Sequence, residues 1–171
     1  PVRIALFQAT SGIDPARNLV FVPTTSPSTD YYGGGRQFDI PLSNSIVALD
    51  RKSGKLRWYY QFTPHDLWDW DATQTSVLVD AAWEGRPRRL MLHASRNGFF
   101  YVFDRENGKL LLAKPFVKNL TWASGIGADG RPIKLPNQDP TPAGTKVCPS
   151  QDGATNWFSP SYNPATGLYY L

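Results

Sequence analysis

A single cysteine and a single methionine stand among the 171 residues. One thiol cannot close an internal disulfide, so packing and hydrogen bonding must hold the fold. Cys148 reads as an inert buried thiol, with only Lys146 as a basic neighbour. Apolar runs of membrane-spanning length do not occur, and neither do leader-like or lipidation motifs. Helical periodicity is missing as well: the best stretch, VLVDAAWEG, is short and ends at Gly85. The 18 Lys and Arg exceed the 14 Asp and Glu by four, but they are scattered. Their densest cluster, Arg86, Arg88 and Arg89, is too small for a nucleic-acid-binding stripe, so nucleic acid is excluded as a partner. His65 and His93 have no metal-ligand partner at useful spacing and read as structural.

Aromatic residues make up 13% of the chain and hydrophobic residues 41%, punctuated by 14 Gly and 15 Pro. That mixture favours strands and turns around a packed core. The chain opens at Pro1 and stops at Leu171 inside a strand-like run, which reads as a piece of a longer protein. Two internal repeats organise it. IDPARNLVFV (13–22) and YNPATGLYYL (162–171) align without gaps, each an Asx-Pro turn followed by an apolar strand. SIVALDRKSGKLRWYYQF (45–62) and FFYVFDRENGKLLLAKPF (99–116) each give strand, Asp, turn, Gly-Lys and strand. An Asp side chain can bond the turn amides, and Gly54 or Gly108 can take the positive φ that closes the hairpin. Repeated antiparallel units predict an all-β fold, a propeller before a sandwich. In a propeller, Trp58 is placed to dock one blade against the next.

The unit formed by Ala48, Asp50, Gly54 and Trp58 resembles the tryptophan-docking motif of the quinoprotein dehydrogenases, eight-bladed propellers that use pyrroloquinoline quinone (PQQ). TPHDLWDWDATQ, LHASRNGFFYVFDRENGKLL, PFVKNLTWASGI and CPSQDGATNWFSPSYNPATGLYY follow in the order of the alcohol-oxidising, methanol and ethanol dehydrogenase branch. The resemblance therefore covers nearly the whole chain. It implies that residues 1–171 are a fragment of one PQQ-binding propeller domain, about three to four blades at roughly 40 to 50 residues per blade.

The resemblance also implies roles. Asp69 matches the base that takes the proton of the substrate hydroxyl, a task a carboxylate within hydrogen-bond reach can perform. Asp69 and Asp71 are the candidate metal ligands. The extra carboxylate of Asp71 points toward a lanthanide in place of calcium, because a harder, more highly charged cation gains from another anionic oxygen; the sugar-oxidising branch can carry this Asp as well. Arg96 matches the cation at the ortho-quinone oxygens. Asn156 matches an amide near the quinone, and Trp157 an aromatic wall beside it, although Trp157 could equally be core. Without the family motifs, Asp66, Asp69 and Asp71 would read as caps of a tight turn, with Trp68 and Trp70 as packing.

Two positions depart from the pattern. Gln8 stands where a tryptophan stacks on PQQ, and an amide cannot supply that π surface. Ser26 stands where the alcohol branch has a metal-binding Asn. VPTTSPSTDYYGG (22–34) is closer to the sugar- and polyol-oxidising branch, so Ser26 fits a branch difference. The expected activity is PQQ- and metal-dependent oxidation of a primary alcohol or polyol. The electrons would pass to a cytochrome c or membrane quinone in the periplasm, and the remaining blades would lie elsewhere in the chain. The alternatives are a sugar-oxidising quinoprotein of the glucose dehydrogenase type and a non-catalytic propeller serving as a binding or assembly scaffold.

Overall fold

A computed structural model describes residues 12–171. Strands β1 (Gly12–Asp14), β2 (Leu19–Pro23), β3 (Ser45–Asp50) and β4 (Leu56–Gln61) form one antiparallel sheet in sequence order. A second four-stranded sheet repeats that order with β5 (Val77–Trp83), β6 (Arg86–Ala94), β7 (Phe99–Asp104) and β8 (Leu110–Pro115). Two antiparallel pairs follow, β9 (Ala123–Ile126) with β10 (Pro132–Lys134) and β11 (Ser161–Asn163) with β12 (Leu168–Tyr170). One short 3-10 turn, Pro15–Arg17, is the helical content among the described residues. VLVDAAWEG is β5 and its turn.

Local chemistry accounts for the repeated hairpins. Asp50 Oδ1 accepts the amides of Lys52 and Ser53, at 3.1 and 2.9 Å, and Asp104 Oδ1 accepts that of Glu106 at 3.1 Å. Gly54 and Gly108 close the two turns at φ +68° and +74°. Both hairpins shift register at the same offset, after Ala48 and after Val102. The shorter repeat is equally faithful: Ile13 pairs with Val20 as Tyr162 pairs with Tyr169. Asn18 takes a left-handed conformation (φ +56°) where the second copy has Gly167 (φ +71°). Asn is among the few side chains that tolerate that region.

The two large sheets meet across one aromatic core. Phe21 and Ile46 from the first sheet share it with Tyr101 and Phe103 from the second, together with Phe62 and Trp122, all buried. Trp58 docks as expected: its ring lies 5.6 Å from that of Phe21, and its Nε1 donates to the Arg105 carbonyl at 3.3 Å. The ring packs so closely on Gly108 that an added Cβ would sit 2.6 Å from it. On the far face of the second sheet, Leu90, Leu92 and Val102 are covered in part by Tyr162 and Tyr169 of the last hairpin. Sheets stacked face to face through their apolar sides are blades of a partial propeller: two are complete, the β11–β12 pair packs on the outer face of the second, and the β9–β10 pair packs into the core that the first two share. Residues 116–160 form mostly loops, and these carry part of the candidate site.

Candidate functional site

The 62–76 connection between the two sheets is built around one buried carboxylate. Asp66, 1% exposed, accepts the Trp68 amide on Oδ1 at 2.8 Å and the Trp70 amide on Oδ2 at 2.8 Å. Oδ2 also accepts Asn44 Nδ2 at 2.7 Å and the Ser26 hydroxyl. Burial pushes the Asp66 carboxyl up, and the four donors pull it back. Trp68 and Trp70 stack on each other at 4.6 Å and pack against Trp122. Their Nε1 groups donate to the carbonyls of Gln138 and Ser150. The indoles therefore fix the loop, and the carboxylate between them, Asp69, is free to face elsewhere.

Asp69 occupies the left-handed region at φ +63°, a conformation uncommon for a residue with a side chain and one that its surroundings must hold. Its carboxyl is pushed up to about 6, first by burial, then by the charges of Asp71 and Asp30, against the pull of Arg96. Asp71 is raised too, mainly by burial, while Oδ1 accepts the Ser26 amide at 2.6 Å. Its Oδ2 lies 3.7 Å from Arg96 Nη1. Arg96 is nearly buried and sits in the turn between β6 and β7; Nη2 donates to the Gln151 carbonyl at 2.7 Å. Its Nε is buried with no partner, a donor available to a ligand oxygen.

The 150–158 loop closes against Arg96 from the other side. Ala154 donates its amide to the Arg96 carbonyl at 2.9 Å, and a Cβ on Gly153 would lie 2.7 Å from Arg96 Cβ. Asn156 and Trp157 follow on this loop, but their hydrogen bonds stay within it: Asn156 Oδ1 accepts the Trp157 amide at 3.0 Å, and Nδ2 reaches the Asp152 carbonyl at 3.4 Å. Trp157 is 63% exposed within this chain. Asp69, Asp71 and Arg96 thus come together, with Asn156 and Trp157 carried alongside. Gln8 lies outside the described residues.

Other side chains join the site without having been singled out. Tyr31 donates its hydroxyl to Gln151 Oε1 at 3.2 Å. Its phenol is raised by burial and then by the charges of Asp69 and Asp30. Tyr31, Trp68, Gln151 and Asp152 line a groove of about 560 Å³, a size suited to a small ligand. Asn44 is fully buried at φ +46° and ties Asp66 to the Trp70 carbonyl. Nothing local in the sequence marks Asn44 or Gln151.

Three expectations lie beside the site. His93 is fully buried, stacks on Phe62 at 4.3 Å, shares a hydrogen bond with Ser76, and is pushed down to about 3 by burial. His65 packs its ring against Gly33. Cys148 is half-buried, less enclosed than expected.

The groups present suit the ligands the resemblance implies. The cation of Arg96 and its unpartnered Nε fit the anionic oxygens of PQQ. Asp69 and Asp71 offer oxygen donors only, the chemistry of a hard cation. Among the described residues no group of three or more His, Cys, Asp or Glu side chains that could hold a metal ion assembles.

Comparison with known proteins agrees. The family model described as PQQ glucose/ethanol/alcohol dehydrogenase, beta-propeller domain, matches residues 8–115. The quinohemoprotein alcohol dehydrogenase of Comamonas testosteroni is 47% identical over 127 residues, 74% of this chain and 18% of that protein. The quinohemoprotein alcohol dehydrogenase ADH IIB of Pseudomonas putida is 42% identical over 164 residues, 92% of this chain and 23% of the relative. A solved europium-containing methanol dehydrogenase superposes with a TM-score of 0.86 at 32% identity, over 95% of this chain and 29% of its own. The chain spans less than a third of the length of each of these relatives. Blades, turn chemistry, site geometry and these similarities lead to one conclusion: the chain belongs to the PQQ-dependent alcohol dehydrogenase family.

Proposed function

We propose that the chain forms part of a single PQQ-binding propeller domain in a longer enzyme, which oxidises a primary alcohol or polyol to the carbonyl. The observation that carries this reading is the grouping of Asp69, Asp71 and Arg96 at one end of the blades, with Arg96 Nη1 3.7 Å from Asp71 and a pKa of about 6 at Asp69. When bound, PQQ supplies the quinone that accepts the hydride from the carbinol carbon, with a hard cation, calcium or a lanthanide, beside it. Asp69 accepts the hydroxyl proton on its carboxylate, which balances the reaction. A pKa of about 6 still leaves it mostly ionised at neutral pH and makes it a stronger base than an exposed Asp. Arg96 places fixed positive charge and a buried N–H where cofactor oxygens gain negative charge. Asn156 and Trp157, on the 150–158 loop, would help hold the cofactor, and Asp71 would join Asp69 in holding the metal. Electrons leave to a cytochrome c or a membrane quinone, in the periplasm.

The test is reconstitution of the complete enzyme with PQQ and either calcium or a lanthanide, followed by dye-coupled oxidation of ethanol, glycerol and glucose. Turnover of ethanol or glycerol that requires added PQQ supports the reading. Preference for glucose moves it to the sugar-oxidising branch. No PQQ uptake replaces it with a non-catalytic scaffold.

A further inference from the structure

We propose that Asp66 is a positioning residue for this site: its buried carboxylate holds the 66–71 loop and Ser26 in the arrangement from which Asp69 and Asp71 act. The inference rests on the reading of Asp69 as the base. The amides that Asp66 accepts belong to Trp68 and Trp70, the residues on either side of Asp69. Asp69 itself sits at φ +63°, a left-handed conformation that Asp tolerates better than most side chains but that still has a cost, and the two flanking bonds to Asp66 help hold it there. Asp66 reaches Asp71 as well, through one intermediate. Its Oδ2 takes the Ser26 hydroxyl, and the Ser26 amide donates to Asp71 Oδ1 at 2.6 Å. Asn44 completes the frame by bonding both Asp66 Oδ2 and the Trp70 carbonyl.

The chemistry requires an acid here. Three of the four partners, two backbone N–H groups and an amide NH2, can only donate, and a carboxylate accepts at both oxygens. An Asn in its place would turn an NH2 against at least one of those donors whichever way the amide lay. Asp66 is also sealed from water at 1% exposure, so no solvent molecule is at hand to relieve the mismatch.

The experiment compares Asp66→Asn, Asp69→Asn and the double variant in the complete holoenzyme, with PQQ uptake followed by absorbance. Asp66→Asn is expected to keep PQQ uptake and to leave KM for the alcohol within about threefold. Its kcat should fall on the order of 10- to 100-fold, as for a reacting group displaced by a fraction of an ångström to an ångström. In the Asp69→Asn background the same substitution should cost less than about twofold, because the base it positions is already gone. A wild-type kcat for Asp66→Asn overturns the proposal, and so does an undiminished further loss in the Asp69→Asn background, which would show that Asp66 does not act through Asp69. Full turnover by Asp69→Asn overturns the base assignment itself and takes this role of Asp66 with it. Should Asp66→Asn fail to fold, Ser26→Ala decides: it removes one donor and leaves the charge. A kcat lowered on the order of threefold to tenfold with PQQ uptake intact supports the proposal, and an unchanged kcat overturns it.

Discussion

Asp69, Asp71 and His93 are three titratable groups whose surroundings set them to different tasks. For Asp69, burial and the Asp71 and Asp30 charges raise the pKa to about 6. Only the ionised form accepts a proton, so turnover should fall as the pH drops through the Asp69 pKa, which a bound cation beside the carboxylate would hold below about 6; a pH profile of kcat with no acid limb at any pH at which the enzyme stays folded would contradict the assignment. Asp71→Ala should lower lanthanide-supported turnover on the order of 10- to 100-fold and calcium-supported turnover less, since the extra anionic oxygen serves the harder ion. Equal losses with both ions would assign Asp71 to fixing the loop through its bond with the Ser26 amide. His93 works through stability. Its folded pKa of about 3 lies below the roughly 6.5 of an unfolded histidine. Below pH 6.5 the unfolded chain takes up a proton that the folded chain refuses, so this contribution is complete above pH 6.5 and is lost as the pH falls toward 3, by at most about 1.4 kcal/mol per pH unit. His93→Gln should flatten that slope in urea unfolding at pH 4 to 6; an unchanged slope would place the acid sensitivity elsewhere.

At the scale of elements, the hairpins were the most legible part of the sequence. Asp50 with Gly54, and Asp104 with Gly108, state their turn in adjacent residues, and the structure repeats that turn down to the position of the register shift. The 116–160 region was far less legible. Its short strands and loops are placed by distant partners, such as the Tyr60 hydroxyl on the Gly130 carbonyl and the Trp68 indole on the Gln138 carbonyl, and no local pattern encodes those contacts. The two turn glycines give a direct measure of blade docking. Gly54→Ala meets open space and bears only the left-handed backbone term, about 1 to 2 kcal/mol. Gly108→Ala bears the same term and also drives a Cβ to 2.6 Å from the Trp58 ring. It should therefore lose about 1 to 3 kcal/mol more, read as a larger fall in the denaturation midpoint. Equal losses would mean that Trp58 is not the contact that joins the sheets.

For the whole molecule, the blades act as a frame that brings five separated stretches to one end: Ser26 to Tyr31, Asn44, Asp66 to Asp71, Arg96 and Gln151. Asp69, Asp71 and Arg96 could be picked out from the family motifs. Asn44, Gln151 and the function of Asp66 could not, because each depends on a partner at least 22 residues away in sequence. The central claim is that this frame presents Asp69 as the base of a PQQ-dependent alcohol oxidation. Asp69→Asn keeps the shape of the side chain and removes its ability to take a proton at neutral pH. The decisive measurement is dye-coupled alcohol oxidation by the complete Asp69→Asn holoenzyme, with cofactor absorbance as the control for PQQ uptake. The account predicts uptake equal to that of the wild type and turnover lowered ~100- to 10,000-fold, the range for a lost general base; undiminished turnover with PQQ bound would contradict it.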